Sequence, residues 1–353
     1  MERAIYRVIG LMSGTSLDGV DLAEVTFEKK DHWHFDMGVC ATYPYPDYWY
    51  QKLANLTSYS RADLADLDHE FTRYLGDCVN RFCHEHQLPK EVFLSSHGHT
   101  ALHQPQRGIT YQLGNLPALA SHTQRTVVCD FRSQDVALGG QGAPLVPIGD
   151  QLLFSTYDAC VNLGGFANIS TTHQGAYKAY DICAVNTVLN RLASRLNRPY
   201  DEDGKWARKG QMIVSLFDRL QGLDFYRQAA PKSLGVEWVS EHIVPIFSDF
   251  QTASVEDLLH TYTQHIALQI ANQLPQQGRI LITGGGAFNR FLIQRIQEQT
   301  QSQIVVPEAG IVAYKEALIF GFLGVLKLRN ETNCLAGVTG AQKDHSSGQI
   351  FFP

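Results

Sequence analysis

The sequence has few charged residues and lacks the patterns of several protein classes. Charged residues make up 18% of the 353 residues, the net charge is −6, and Lys and Arg form no basic run. Nucleic-acid binding needs a basic patch, so we expect no nucleic-acid partner. The motifs G-x-x-x-x-G-K-[ST] and, after a strand, G-x-G-x-x-G are also missing, which argues against P-loop and Rossmann dinucleotide sites.

Long apolar runs and paired cysteines are missing as well. No stretch contains the roughly 18 consecutive apolar residues of a membrane span, and MERAIYRVIGLMSG lacks a small-residue cleavage site. We therefore expect a cytoplasmic protein without a membrane partner. The 7 cysteines form no C-x-x-C pair, which indicates reduced and mostly buried thiols.

The length of the chain predicts two domains, because single cores stop growing at roughly 250 to 300 residues. An apolar content of 44% provides enough side chains for both cores. We expect one domain to contain 1–131 with the C-terminal segment from about 332 to 353, and the other to contain 132–331. The glycine-rich segment 138–142 is the candidate hinge.

Hydrophobic periodicity predicts an α/β protein. Residues 4–12 and VDLAEVTF alternate as a β-hairpin with a polar tip, and a helix with leucines and aromatics at spacings of three and four follows Ser60. In the second half, the strand ACVNLGG is followed by a helix from about Ala184. The strand GRILITGGG leads into the helix AFNRFLIQRIQEQ.

The tip of the first hairpin has the composition of a phosphate-binding loop. Small residues let backbone amides approach an anion, hydroxyls donate hydrogen bonds, and carboxylates reach Mg²⁺. These residues are Ser13, Gly14, Thr15, Ser16, Gly19, Asp18 and Asp21. The alternative is a plain hairpin turn, which needs fewer hydroxyls and carboxylates than this segment has.

Two further glycine-rich strand ends occur in the second half. Gly164 and Gly165 precede Asn168, and this weaker pattern would bring another backbone segment to a triphosphate. The residues Gly284, Gly285, Gly286 and Asn289 lie between a strand and a helix start, a geometry suited to a nucleotide. Three such strand ends favour a nucleotide held between domains.

Phosphoryl transfer needs a carboxylate that accepts the proton of the attacking oxygen, and Asp181 is our candidate. We expect it to end the strand AYKAY and begin a helix with Asn186 and Asn190. An ordinary helix N-cap is an equally good explanation of this aspartate. Glu316 lies in an otherwise apolar helix beside Lys315, so its carboxylate must be paired, solvated or functional.

Polar residues also follow two strands of the first half. His97, His99 and His103 could gather imidazoles around a metal, but a loop on the substrate side explains them better without thiolates or carboxylates nearby. Arg132 could bind a substrate carboxylate through its two-pronged guanidinium group. A surface ion pair with Asp135 is the competing explanation.

Taken together, these motifs resemble the anhydro-N-acetylmuramic acid kinase family over nearly the whole chain. The matching segments, in the family's order, are GLMSGTSLDGVD, SSHGHTALHQP, QLGN, CDFRSQDVALGGQGAPLVP, NLGGFANIS, YDEDGKWA, TGGGAFN and GVTGAQ. The resemblance implies a two-domain actin/hexokinase-like (ribonuclease H-like) fold with an interdomain cleft, bound ATP and Mg²⁺, an amino-sugar substrate and a homodimer.

The resemblance also implies a double reaction and residue roles. Water opens the 1,6-anhydro ring of 1,6-anhydro-N-acetylmuramic acid, and O6 takes the γ-phosphoryl group to give N-acetylmuramic acid 6-phosphate in murein recycling. Asp181 would activate the water, and Glu316 would be the second carboxylate. The segment Gly14–Asp21, with Leu17 and Val20, would bind ATP. The sugar would be contacted by Arg132, His97 and Gly98.

Two departures from the family pattern bear on the substrate. After Asp181 the family usually continues Thr-Gly-Pro-Gly-Asn, whereas this chain has Ile182 to Val185 before Asn186. The segment after LVP reads Ile148-Gly149-Asp150, where a histidine is common in the family. Alternative functions are phosphorylation of another anhydrosugar such as levoglucosan, or ATP binding without catalysis.

Overall fold

The computed structural model describes residues 5–173 and 175–353, and Ala4, the first residue of the predicted hairpin, lies outside them. The chain forms two compact units: the part up to Leu153 together with Tyr314–Pro353, and Phe154–Ala313. These bounds differ from the predicted ones, and the predicted hinge 138–142 lies inside the first unit. Arg132 Nη1 donates to the Gly142 carbonyl at 2.6 Å, which ties that segment to the first unit.

Strands and helices alternate along both units. The strands are β1 (Ile5–Ser13), β2 (Val20–Lys29), β3 (Trp33–Tyr43), β4 (Phe93–Gln104), β5 (Ile109–Leu113), β6 (Val127–Cys129), β7 (Ala159–Leu163), β8 (Phe166–His173), β9 (Ala176–Ala184), β10 (Arg279–Thr283), β11 (Gln303–Val305) and β12 (Gln349–Phe351). The helices are α1 (Asp47–Ala54), α2 (Arg61–Glu85), α3 (Ala118–Thr123), α4 (Ser133–Ala137), α5 (Val146–Leu153), α6 (Asn186–Ala193), α7 (Val214–Gln221), α8 (Val236–Trp238), α9 (Val244–Ser248), α10 (Val255–Ala271), α11 (Arg290–Glu298), α12 (Ala309–Leu328) and α13 (Ala336–Thr339).

The two sheets have the same core topology. In the first unit the order is β12-β6-β4-β1-β2-β3, with β5 paired to β4; in the second it is β11-β10-β7-β8-β9. In each sheet three antiparallel strands are followed by two parallel ones, β4 and β6 or β10 and β11. This repeated order confirms the predicted α/β, ribonuclease H-like class.

Each sheet packs against a long helix. In the first unit, α2 follows Ser60 as predicted, begins with a capping box formed by Ser60 and Asp63, and buries Phe71 and Leu75 completely. In the second unit, α10 buries Tyr262 and Ile266 completely. Burying side chains of this size contributes about 1.5–3 kcal/mol each, so these helices anchor the two cores.

The helix α12 is long and apolar enough to cross a membrane, judged by its length and composition alone. The count of consecutive apolar residues missed it because Lys315 and Glu316 interrupt the run. In the structure 67% of its apolar window is buried, which is typical of a helix inside a protein core. All seven cysteines are free thiols, as predicted, and all except Cys40 are buried.

Candidate active site

The loop between β1 and β2 presents polar groups to solvent. Thr15, Ser16 and Asp18 are exposed, and the Leu17 N–H donates to the Gly14 carbonyl at 3.3 Å. Leu17 has a φ of 60°, a backbone conformation that a branched side chain rarely adopts. Strained residues of this kind concentrate at ligand sites, so the loop is suited to binding an anion through its amides and hydroxyls.

Ser13 differs from the other hydroxyl residues of this motif because its side chain is buried. Its Oγ lies 2.5 Å from the Tyr45 hydroxyl and 2.7 Å from His99 Nδ1. Burial lowers the pKa of His99 to about 4, so this imidazole is neutral at pH 7. The Ser13 hydroxyl is therefore engaged in an internal hydrogen-bond chain beneath the loop.

Asp18 and Asp21 are the two carboxylates predicted to reach a metal. The Thr42 hydroxyl donates to Asp21 Oδ1 at 2.6 Å and orients this group. Burial raises the pKa of Asp21, and the nearby charge of Asp18 raises it further. Two carboxylates close enough to repel each other, one of them exposed, fit the oxygen ligands that Mg²⁺ prefers.

Arg132 is held by His97 rather than by the predicted alternative partner Asp135. The guanidinium Nε and Nη2 lie 3.0 and 2.8 Å from His97 Nε2, and His97 Nδ1 lies 2.8 Å from the Gly98 carbonyl. Burial lowers the pKa of Arg132 to about 10, and the charge of Glu316 opposes this shift. A partly buried guanidinium fixed on one side can bind a carboxylate with its remaining donors.

The three histidines predicted as alternative metal ligands have separate partners. His97 contacts Arg132, His99 contacts Ser13, and His103 Nδ1 lies 3.2 Å from the Thr110 hydroxyl. Within 5–173 and 175–353, these imidazoles form no metal-ligand group. All three lie in strand β4, so the predicted loop on the substrate side is wrong as well.

Glu316 and Lys315 point to different surroundings, as expected of neighbours on a helix. Lys315 Nζ lies 2.7 Å from Asp150 Oδ1, and both side chains are buried. Glu316 reaches solvent, yet protein closely surrounds it, so desolvation raises its pKa while the charges of Arg132 and Lys315 oppose the shift. Its carboxylate is thus close to Arg132 and accessible to a ligand.

In the second unit, a polar row crosses four neighbouring strands. Thr283 on β10 pairs with Asn162 on β7, Asn162 pairs with Asn168 on β8, and Asn168 pairs with Asp181 on β9. Directly paired residues of adjacent strands point to the same face of a sheet. The sheet therefore places Asp181 and Asn168, both predicted as site residues, side by side.

Asp181 lies inside β9, so the prediction that it ends a strand and begins a helix is wrong, and so is the alternative that it is a helix N-cap. The strand continues to Ala184 because Cys183 and Ala184 keep pairing with β8 beyond a β-bulge at Ile182. The Leu234 N–H donates to Asp181 Oδ2 at 2.8 Å. Burial raises the pKa of Asp181, and this hydrogen bond lowers it.

The residues that replace the family's glycines after Asp181 belong to the core. The four side chains from Ile182 to Val185 are each at most 1% exposed. The helix α6 begins at Asn186, whose Nδ2 donates to the Leu163 carbonyl at 3.3 Å. The departure from the family pattern therefore adds core packing directly behind Asp181.

The turn of Gly164 and Gly165 is bonded to the start of α6. The Gly165 carbonyl accepts from the N–H groups of Val185 and Thr187 at 2.8 and 3.2 Å, and the Gly164 carbonyl accepts from Asn186 at 3.3 Å. These bonds engage the carbonyls of the turn in the fold. A Cβ on Gly165 would lie 2.8 Å from the Thr187 hydroxyl, so packing against α6 explains this glycine and weakens the interpretation of the turn as a phosphate loop.

The segment after β10 combines a tight approach with an open glycine. Gly284 has a φ of +82°, and a Cβ there would lie 2.6 Å from Asn162 Oδ1, whereas a Cβ on Gly285 would meet nothing within 4 Å. Asn289 Oδ1 accepts from the Leu292 N–H at 3.0 Å and caps α11. Gly285 is therefore the open position of this segment, and Asn289 has a structural role.

Comparison with known proteins decides the family. The family model described as anhydro-N-acetylmuramic acid kinase matches residues 6–353. The chain belongs to the anhydro-N-acetylmuramic acid kinase family. Relatives of that name from Actinobacillus pleuropneumoniae (serotype 3) and Haemophilus influenzae are each 33% identical, covering 99% and 97% of this chain and 100% and 97% of their own.

Among solved structures, the activator of 2-hydroxyisocaproyl-CoA dehydratase from Clostridium difficile with bound ADPNP covers 92% of this chain and 96% of its own. Its sequence identity is 14% and its TM-score is 0.44, so the assignment rests on the family model and the relatives. As a member of the anhydro-N-acetylmuramic acid kinase family, this protein is a phosphotransferase with an alcohol acceptor. Family membership implies the use of ATP and a small-molecule sugar substrate.

Several residues near the predicted site of this kinase were missed in the sequence. Asn162 and Thr283 precede the glycines of their strand ends, and Thr283 Oγ1 is buried without a hydrogen-bond partner in the described part of the chain. Asp150 was noted only as a departure, yet it pairs with Lys315. A polar residue one or two places before each glycine pair was the available signal for the first two.

Proposed function

We propose that this kinase opens the 1,6-anhydro ring of 1,6-anhydro-N-acetylmuramic acid with water and phosphorylates O6 to give N-acetylmuramic acid 6-phosphate. Water forms a bond to C1, and the C1–O6 bond breaks. O6 then attacks the γ-phosphorus of ATP, and ADP leaves. The sum of substrate, water and ATP equals product, ADP and one proton.

The observation that carries this proposal is the setting of Asp181. Its carboxylate sits on a strand, is oriented by the Leu234 N–H at Oδ2, and has a pKa raised by burial. A general base is most effective when its pKa is shifted toward the working pH, so Asp181 would take the proton of the attacking water. Asn168, its partner across the strands, would contact the nucleotide in the same unit.

Arg132 and Glu316 would serve the sugar in the first unit. The lactyl group of muramic acid carries a carboxylate. An Arg fixed by His97 can bind this carboxylate with two parallel hydrogen bonds. Glu316 would be the second carboxylate near the reacting oxygens, close to Arg132. His97 and Gly98 would shape this site from β4.

The β1–β2 loop would bind the phosphates of ATP through the segment Gly14–Asp21. Asp18 and Asp21 would hold Mg²⁺, which neutralises charge on the transferred phosphoryl group when bound. In the second unit, Gly285 is the best placed glycine for a nucleotide, because nothing occupies its Cβ direction. Gly164, Gly165, Gly284, Gly286 and Asn289 would support that segment through the backbone.

The biological setting is part of the same proposal. We expect a cytoplasmic homodimer that acts in murein recycling, since this is what the family resemblance implies. The candidate membrane helix α12 is mostly buried, which is consistent with this location.

Mass spectrometry of 1,6-anhydro-N-acetylmuramic acid incubated with ATP, Mg²⁺ and the protein tests this function. We expect a product heavier than the substrate by one phosphate and one water. Asp181→Asn should slow its formation about 10²- to 10⁴-fold, and Asp224→Asn, at an exposed position of the same unit, should not. A levoglucosan reaction run in parallel tests the alternative acceptor.

Each outcome decides between stated alternatives. Product from the muramic sugar that depends on Asp181 supports both ring opening and the role of the base. Product from levoglucosan alone would mean that the phosphoryl acceptor is an anhydrosugar without the lactyl carboxylate. ATP binding without any product would indicate a kinase homologue without catalysis.

A further inference from the structure

A cluster of three buried polar side chains lies in the first unit, apart from the residues assigned above. Asp135 on α4 meets Cys334 and His345, which pair in an isolated β-bridge. Asp135 Oδ1 lies 3.0 Å from Cys334 Sγ and 3.6 Å from His345 Nε2, and all three ligand atoms lie within 4.8 Å of one another. The exposed fractions are 0%, 1% and 6%, so the three side chains lie beneath the protein surface.

The protonation of His345 leaves one nitrogen without a matching partner. Its Nδ1 lies 3.0 Å from the Lys343 carbonyl, which can only accept, so Nδ1 carries a hydrogen. In the neutral ring, Nε2 then presents a lone pair. It makes no hydrogen bond within the described ranges, and the atom it faces, Asp135 Oδ1, is itself an acceptor. Two acceptor atoms that face each other repel, so a positively charged atom between His345 Nε2 and Asp135 Oδ1 would stabilise this arrangement.

We propose that Asp135 Oδ1, Cys334 Sγ and His345 Nε2 bind a zinc ion. In a tetrahedral zinc site with bonds of about 2.0 to 2.3 Å, the ligand atoms are about 3.3 to 3.8 Å apart. Of the two distances from Asp135 Oδ1, the 3.6 Å to His345 Nε2 lies inside this range and the 3.0 Å to Cys334 Sγ lies 0.3 Å below it. A thiolate, an imidazole and a carboxylate are the ligands that zinc prefers, and water or another oxygen completes the coordination.

Binding replaces one proton with the metal. The Cys334 thiol now donates to Asp135 Oδ1; on binding, the sulfur loses this proton to solvent and bonds to zinc, and the oxygen lone pair becomes available. The Thr339 hydroxyl donates to the same oxygen at 2.7 Å and orients the carboxylate. The Lys343 carbonyl does the same for the imidazole, as outer partners do in zinc sites.

The site would fix the segment that carries Arg132. Asp135 Oδ2 accepts from the Gly142 N–H at 2.6 Å, and the Gly142 carbonyl accepts from Arg132 at 2.6 Å. Zinc would therefore join α4 and this glycine segment to the C-terminal residues. Because the unfolded chain lacks the site, bound zinc stabilises the folded protein.

The test uses the full chain, purified, stripped of metal with a chelator and titrated with Co²⁺ as a spectroscopic substitute for zinc. We expect a thiolate-to-cobalt charge-transfer band and the strong visible bands of a tetrahedral site, saturating at one ion per chain. Zinc should displace the cobalt and raise the Tm. The variants Cys334→Ser and His345→Gln should weaken zinc binding by roughly 100-fold or more, since even outer partners contribute 10- to 100-fold.

Cys83→Ser is the matched control, because Cys83 is also a buried thiol of the first unit. It should keep the bands, the stoichiometry and the increase in Tm. Circular dichroism establishes that each variant is folded, and His345→Gln replaces Cys334→Ser if the latter does not fold. A chain without a cobalt–thiolate band, or bands that persist in both ligand variants, would overturn the proposal and leave a protonated His345 paired with Asp135.

Discussion

The two units have the same strand order but different first hairpins. In the first unit, β1 and β2 are joined by a loop whose Thr15, Ser16 and Asp18 are exposed. In the second, β7 and β8 are joined by Gly164 and Gly165, whose carbonyls accept hydrogen bonds from the start of α6. The same topological position thus presents polar groups in one unit and is bonded to the protein in the other.

This difference indicates a division of labour between the two sheets. The first unit offers hydroxyls, carboxylates and a fixed Arg132, which suit charged ligands. The second offers the polar row that ends in Asp181, with its pKa raised by burial. Glycine content alone does not distinguish these cases, because the same residue lies in the loop proposed to bind phosphate and in the turn that is bonded to α6.

Asp181→Asn gives the largest expected effect. We expect kcat to fall about 10²- to 10⁴-fold, the usual contribution of a general base, while the KM for ATP changes little. Steady-state kinetics with the muramic sugar measure both constants. If Asp181→Asn retained near-normal kcat, the second unit would not supply the base, and the division between the sheets would fail.

Arg132→Ala tests the first unit as the carboxylate-binding side. Hydrogen bonds to charged groups contribute about 1.5 to 3 kcal/mol, so kcat/KM for the muramic sugar should fall roughly 10- to 150-fold. Any residual turnover of levoglucosan, which lacks the carboxylate, should not fall. Arg132→Lys serves as the control that keeps the charge but loses the paired donors. An equal decrease in kcat/KM for both sugars would exclude Arg132 as the residue that binds the carboxylate.

Ser16→Ala and Gly165→Ala compare the two hairpins directly. We expect Ser16→Ala to raise the KM for ATP several-fold with an unchanged Tm, because one exposed hydroxyl contributes about 0.5 to 1.5 kcal/mol. Gly165→Ala should leave this KM unchanged and lower the Tm slightly, since its Cβ would lie 2.8 Å from the Thr187 hydroxyl. If Gly165→Ala raised the KM for ATP and Ser16→Ala lowered only the Tm, the second hairpin rather than the first would bind the nucleotide.

The smallest effect concerns stability and pH. Burial raises the pKa of Asp181 above its value of 3.8 in the unfolded chain, so the unfolded state ionises more readily. The free energy of unfolding therefore falls as the pH rises from below 3.8 through the raised pKa of Asp181 in the folded protein. Urea unfolding should show Asp181→Asn to be more stable than the parent protein at pH 7, with no such gain at a pH well below 3.8.

Local sequence patterns predicted the hairpin, the capped helix α2 and the glycine-rich strand ends, because each depends on neighbouring residues. They did not predict the place of Asp181, whose strand continues only because β8 pairs with it. The pairing of Lys315 with Asp150 was also out of reach, since the two residues meet through packing. Contacts between distant segments are not encoded in periodicity, and the polar row includes one of them, between Thr283 and Asn162.

The β-bulge beside Asp181 has a consequence for how the length of this strand can vary. On β8, Ala167 and Asn168 are adjacent, but their partners Cys183 and Asp181 are separated by Ile182. Removing that one residue would restore regular pairing and leave Asp181 opposite Asn168, whereas a deletion elsewhere in β9 would turn side chains to the other face. Single-residue length differences in this strand should therefore be tolerated at the bulge and selected against on either side of it.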